Sequence, residues 1–389
     1  VSRPVAIVGI GLTRFGERWE SSLRNLITEA GLAALQDCKV SGEEIDELYV
    51  GSMSPGQFTN QELVAPLVLD SAGLADTHIP TTRVEGAGAS GGLALRQAYL
   101  SIASGHADVA IAGGVEKMTD VPEKDVTRIL GAASDQEWEA FIGATDPALH
   151  ALIARRHMEK YGTSREQLGL VAVKNHKHGS LNPNAQFQKE VSLETVLQSP
   201  LISDPLRVFD TAPASDGAAA VVLAALDVAE SYTDRPIRVS GSGQGSDYVS
   251  LAARQTLTSF AATKHAAERA FAQAKAQPKD VDVVEIHDSY TINEILGIED
   301  LGFCKPGAGG VLTETGATAI GGDLPVNPSG GLKARGHPIG ATGIAQVAEL
   351  VSQLRGQAGS RQVRGAKRGL ALNTGGTGVV SVVHILEAV

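Results

Sequence analysis

Four segments of the chain carry residues whose types and spacing could do chemistry. The first is Ile286-His287-Asp288-Ser289-Tyr290-Thr291, directly after the apolar run Val281–Glu285. A histidine in the loop after a strand is placed for function more often than for packing. A structural, hydrogen-bonded histidine is the alternative there, and Tyr290 and Glu294 read as packing and capping residues. The second is Asn327-Pro328-Ser329-Gly330-Gly331-Leu332-Lys333-Ala334-Arg335-Gly336-His337-Pro338-Ile339-Gly340-Ala341-Thr342-Gly343. Pro338 fixes the backbone just after His337, so the loop is stiff and the imidazole is aimed. A rigid loop carrying one histidine ahead of a helix is how a general base is placed. In the third, Val84–Leu95, small residues around Gly88 run into a helix. Such a turn exposes backbone N–H groups that can hold an anion or an oxyanion, although a packing turn would look the same. The fourth, Leu372-Asn373-Thr374-Gly375-Gly376-Thr377-Gly378, allows close backbone approach and offers further N–H donors.

The elements that must position these segments alternate between strand-like and helix-like patterns, which argues for an α/β class. Strands are expected at Val5–Gly9, Glu47–Gly51 and Ala107–Gly113, and helices at Ser22–Leu35 and Gly92–Ala103. From Met118 to about Asp210 the regularity fades, and this stretch reads as a long insertion. Arg3-Pro4-Val5-Ala6-Ile7-Val8-Gly9-Ile10-Gly11 is echoed by Arg235-Pro236-Ile237-Arg238-Val239-Ser240-Gly241-Ser242-Gly243. A second echo, Ser41–Leu48 against Pro278–Glu285, follows in the same order, which suggests a duplicated half. The expected division is 1–232, with 118–210 inserted, and 233–389.

Composition bounds the partners. The 389 residues are 43 % hydrophobic, so a sizeable core is affordable. A net charge of −11 argues against nucleic acid, whose phosphates need a basic face. No apolar run is long enough to span a membrane, and a cytoplasmic protein is expected. Cys38 and Cys304 are too few for a disulfide framework and form no CxxC zinc pair. His176 and His178 have no third ligand nearby and read as part of a solvated basic face. There is no GxxxxGK[ST], and Gly9 and Gly11 lack the rest of a dinucleotide fingerprint.

Together the four segments resemble the thiolases, in particular the archaeal-type and sterol-carrier-protein-type members of the acetyl-CoA C-acetyltransferase kind. VEGAGASGG is similar to the family's VEGACASGG. AGGVEKMT, DTAPASDGAAA, HDSYTINEI, NPSGGLKARGHPIGATG and LNTGGTG resemble family blocks in family order along the whole chain. The resemblance implies an α/β thiolase fold: five layers, αβαβα, built from two duplicated βαβαβαββ halves, with a loop domain over the coenzyme A site. It implies dimers or tetramers, acyl-CoA and coenzyme A as substrates with no further cofactor or metal, and Claisen condensation or its reverse, thiolysis. In archaeal-type systems it also implies an OB-fold (DUF35-like) protein and an HMG-CoA synthase as partners. His337 matches the histidine that activates the nucleophile, and His287 the histidine of one oxyanion hole. The backbone N–H groups at Gly88 and Gly376 match the other hole.

The mismatch is at Gly88, where a working thiolase carries its nucleophilic cysteine. Without a side chain no acyl-enzyme can form there. Cys38 and Cys304 read as packing and turn residues rather than substitutes. Asn373 stands where many thiolases keep a second cysteine, and Ser289 where the sterol-carrier type has one. Three readings follow. The chain is a thiolase whose nucleophile has been removed, it is a cysteine-independent retro-aldolase of CoA thioesters, or it is a binding or scaffold subunit. Retention of both histidines and of every glycine block favours the first. Near-native acyl-CoA affinity with little thiolysis is expected.

Overall fold

A computed structural model describes residues 3–389. Its strands are β1 (Val5–Leu12), β2 (Glu47–Gly51), β3 (Thr81–Val84), β4 (Val109–Glu116), β5 (Leu201–Ser203), β6 (Leu206–Arg207), β7 (Gly217–Ala225), β8 (Ile237–Ser246), β9 (Val283–Ile286), β10 (Arg368–Gly375) and β11 (Val380–Ala388). Nine of them join in the order β3-β2-β4-β7-β1-β8-β11-β10-β9, and β5 and β6 form a separate hairpin. The pairs β2/β3, β2/β4 and β9/β10 are parallel, and the other neighbours in the large sheet run antiparallel.

The layers follow from side-chain alternation. Along β7, Ala219, Val221, Leu223 and Ala225 face one core, while Ala218, Ala220, Val222 and Ala224 face another. A strand buried on both faces reads as a continuous apolar run, as GAAAVVLAA does. The first core is central. Helices Ser90–Ser104 and Thr342–Leu354 fill it between the β1–β4–β7 and β8–β11–β10 parts of the sheet. The second lies outside, under helices Leu23–Gln36 and Val64–Ala72. A third closes the opposite face, where helices Ala261–Ala274 and Thr291–Asp300 cover β9, β10 and β11. The sequence of helix, sheet, helix, sheet, helix gives the expected five layers.

The stretch 118–210 is more regular than its sequence suggests. It holds α-helices Glu123–Gly131, Asp146–Tyr161, Arg165–Gly179 and Leu193–Gln198. Asp146–Tyr161 and Arg165–Gly179 pack against Thr291–Asp300 through Leu149, Ile153, Leu168, Val171, Ile292 and Ile295. His176 and His178, expected on a solvated face, are buried. His178 contacts the Asn327 carbonyl through Nδ1 and accepts the Ile320 N–H at Nε2, and His176 packs between Phe187 and Phe209. Lys-Asn-His-Lys-His lies on a helix that is sandwiched rather than surface-laid, and charge spacing alone does not report that.

Candidate active site

Two buried helix starts and two strand ends converge. Gly88 lies in the turn Ala87–Ala89 before helix Ser90–Ser104, and His287 follows β9. His337 precedes helix Thr342–Leu354, and Thr374 and Gly376 sit at the end of β10. All five, with Met53, His150, Ser289, Tyr290 and Ile339, line an inner chamber of about 70 Å³. His337, Tyr290, Asp146, Ala212 and Leu130 also line an outer cleft of about 630 Å³. A cleft of that size is in the range that holds a small organic ligand.

The residue before Gly88 carries strain: Ala87 has φ 50°, a left-handed backbone that a Cβ disfavours. The space beside Gly88 is small. A Cβ there would lie 2.5 Å from the Thr374 carbonyl oxygen and 3.1 Å from His287 Nε2. A side chain at position 88 would press on that carbonyl.

Asn373 sets the state of His287. The Gly92 N–H, which can only donate, points to Asn373 Oδ1 at 3.0 Å. The amide NH2 therefore faces the Gly88 carbonyl at 2.9 Å and His287 Nδ1 at 2.9 Å. His287 Nδ1 must accept, so the ring proton sits on Nε2, the atom that faces the space beside Gly88. Burial, reinforced by the neighbouring His337, holds His287 well below its ordinary pKa, so the ring is neutral at pH 7. Asn373, seen in the sequence only as a lost cysteine, is the orienting residue.

His337 is held from below. Its Nδ1 lies 2.7 Å from the Thr342 hydroxyl, which in turn lies 3.0 Å from the Pro338 carbonyl. When the hydroxyl donates to that carbonyl, it accepts the Nδ1 proton and leaves Nε2 as a bare base. Burial and the nearby Arg335 push His337 down to about 3, so it too is neutral. The two rings meet edge to face, 5.0 Å between centroids. A neutral donor and a neutral acceptor thus stand side by side.

Buried acids anchor the loops. Glu116 accepts the N–H groups of Met53, Ser54 and Gly340 and the Ser52 hydroxyl, tying the end of β4 to the His337 loop. Gly340 has to be glycine there, because a Cβ would meet the Val115 carbonyl oxygen at 2.4 Å. Asp288 accepts the Leu332 N–H at 2.6 Å and the Asn175 amide at 2.7 Å. Asn327 Oδ1 accepts the Ile286 N–H, and its amide donates to Glu294. These bonds lock the His287 loop to the Asn327–Arg335 segment.

The family follows from matches along the chain. Residues 5–227 match the thiolase N-terminal domain and residues 243–388 the thiolase C-terminal domain-like model. The chain belongs to the thiolase family. It is 55 % identical over 385 residues to an acetyl-CoA acetyltransferase of Methanothermobacter thermautotrophicus, covering 99 % of this chain and 100 % of that one. It is 36 % identical to sterol carrier protein 2 of Gallus gallus, over 98 % of this chain and 71 % of the relative. Among solved structures it is similar to an Ltp2-ChsH2(DUF35) aldolase, with TM-score 0.87 and 29 % identity over 100 % of this chain and 98 % of that one.

The four residues singled out in this thiolase-family chain, Gly88, His287, His337 and Gly376, line one chamber. Cys38 and Cys304 do not. They pack against the two outer cores, and burial pushes Cys304 up to about 12. Sequence reasoning missed His150 and the proximity of Asp146, which come from the 118–210 stretch. Tyr290, read as a packing residue, also faces the chamber. Its hydroxyl donates to Asp146 at 2.7 Å, and its ring stacks on His150.

Proposed function

We propose that this chain binds acyl-CoA at a thiolase-type acyl-CoA C-acyltransferase site from which the acyl-transfer half has been lost, leaving the enolate half. The observation that carries the reading is a Gly88 without nucleophile, faced by two neutral histidines with complementary protons. An acyl-CoA thioester placed in the chamber would find His287 Nε2–H as donor to its carbonyl oxygen. His337 Nε2 is then the base available for a proton on the adjacent carbon. The resulting enolate needs no covalent bond to the protein, and preorganised donors are the usual source of its stabilisation. Gly376 N–H would serve the second oxygen site with Gly88 N–H.

The test runs acetyl-CoA in D2O and acetoacetyl-CoA with free coenzyme A, on this chain and on Gly88→Cys. This chain should exchange methyl protons of acetyl-CoA for deuterium while giving no thiolysis, and His287→Ala should lower exchange by about 100-fold or more. Gly88→Cys should gain thiolysis by on the order of 10⁴-fold. Thiolysis by the unaltered chain at the rate of the Cys form would sink the reading, as would failure to bind coenzyme A.

A second reading, cysteine-independent aldol cleavage of a CoA thioester, is supported by the likeness to the aldolase. It uses the same enolate half. That aldolase's name couples it to a DUF35 protein, and an OB-fold partner of that kind is proposed here too. A homodimer or tetramer is part of the same reading, since β3 ends the sheet with an unpaired edge that suits a second copy. The stretch 118–210 is proposed as the loop domain over the acyl-CoA site.

A further inference from the structure

The outer cleft adjoins the chamber and shares His337, Tyr290 and Leu130 with it, so the carrier arm of an acyl thioester held at the two histidines runs through it. Its walls have an uneven chemistry. Val121, Phe187 and Ile202 make them apolar, and Glu17, Glu123 and Asp146 add three carboxylates. Among the described residues that line the cleft there is no lysine or arginine. Helix Glu123–Gly131 turns Glu123, Val126, Thr127 and Leu130 toward the cleft, which is one helical face and leaves Lys124 and Arg128 on another. Arg128 is already spent on Gln57 and Asp125. Lys117, just before the lining residue Met118, is buried between Asp120 and Asp216, and Arg18 pairs with Glu20.

Such walls suit one half of coenzyme A and oppose the other. The pantetheine arm carries amide N–H groups and a hydroxyl, which carboxylates accept, and methyl and methylene groups, which pack on the apolar residues. The adenosine 3′-phosphate and the diphosphate are anions. They gain from arginine or lysine and are repelled by carboxylates. We infer that this site recognises its substrate by the pantetheine arm alone, so that the ligand class is a pantetheine thioester with or without the nucleotide. This rests on the acyl-CoA reading above and adds which part of the carrier is recognised. Coenzyme A binds through its arm, and its nucleotide lies out toward solvent and contributes little.

Calorimetric titration of the full chain with coenzyme A and with pantetheine, under reducing conditions at about 50 and about 500 mM NaCl, tests this. Pantetheine should bind within about tenfold of coenzyme A, because a single charge-assisted bond to a phosphate would already separate the two by more. Added salt should leave coenzyme A affinity level or raise it, since it screens the carboxylates from the phosphates. Glu123→Lys should tighten coenzyme A about tenfold relative to pantetheine, and salt should remove that gain. Coenzyme A bound by the unaltered chain more than about tenfold tighter than pantetheine, or weakened by salt, would overturn the inference alone. So would a Glu123→Lys variant that treats the two ligands as the unaltered chain does. Binding of neither ligand would overturn the acyl-CoA reading, and this inference with it.

Discussion

At the residue scale the question is what Gly88 does to its surroundings. The Thr374 carbonyl sits where a Cβ would need to be, so adding one forces backbone to move. Overpacking of this kind costs about 1–3 kcal/mol. Gly88→Ala and Gly88→Cys are therefore both expected to be less stable than the unaltered chain by about that amount, in urea unfolding. Equal midpoints for all three would mean the chamber yields freely. Asn373 is the second case. Asn373→Leu removes the partner of the Gly88 carbonyl, the Gly92 N–H and His287 Nδ1 together. Orphaned buried groups cost about 1–3 kcal/mol each, so with three of them this single change should cost at least about 3 kcal/mol. It should also release the His287 tautomer. Imidazole nitrogen shifts by NMR would report it as loss of the pure Nε2–H form, and an unchanged spectrum would show that Asn373 does not set the ring.

At the scale of elements, the His337 loop depends on one carboxylate. Glu116 collects three backbone N–H groups and a hydroxyl from two different loops. Glu116→Gln puts an amide NH2 against donors on one side, so at least one N–H is left unpaired. The expected outcome is a loss of about 1–3 kcal/mol, with deuterium exchange of acetyl-CoA impaired because Gly340 and His337 shift together. Full exchange activity in a variant that unfolds normally would argue that the loop holds itself. None of this anchoring was legible beforehand. The motif residues His337, Gly88 and Gly376 stood out because glycine and proline punctuate the chain around them, and His287 because it directly follows an apolar strand. The strands β1, β2 and β4 and the helices at 23–36 and 90–104 were equally legible from apolar periodicity. The anchoring roles of Glu116, Asp288 and Asn373 did not stand out, because a polar residue at a strand end looks the same whether it is solvated or buried under another loop. The buried His176 and His178 escaped for the same reason, since the elements that cover them lie far off in sequence.

At the scale of the molecule, two sets of buried titratable groups oppose each other. Burial pushes Glu116 and Glu285 up to about 7, Asp288 to about 8 and Asp300 to about 6. Their folded values lie above their unfolded ones. Their contribution is complete below about pH 4 and is lost as the pH rises through 6 to 8, where the folded protein must ionise them. The histidines do the reverse. Burial holds His287 well below its ordinary value, His178 and His337 at about 3, and His176 and His384 at about 4. Their contribution is complete above about 6.5 and is lost as the pH falls toward those values, because the unfolded chain takes up the protons first. Stability should therefore peak near pH 6 to 7 and fall on both sides. Urea midpoints at pH 5, 6.5 and 8.5 would check this. The acid side should not be the steeper one, since there the four acids titrate in the opposite sense and offset most of the five histidines. A midpoint that stays level from pH 6.5 to 8.5 would mean that Glu116, Glu285 and Asp288 are ionised in the folded protein at neutral pH, held by their hydrogen bonds against the cost of burial. Asp288→Asn separates the cases. If the acid is protonated at pH 7, the amide is close to isosteric with it and the alkaline fall becomes shallower. If it is ionised, the amide leaves the Leu332 N–H with a weaker acceptor and stability drops at every pH.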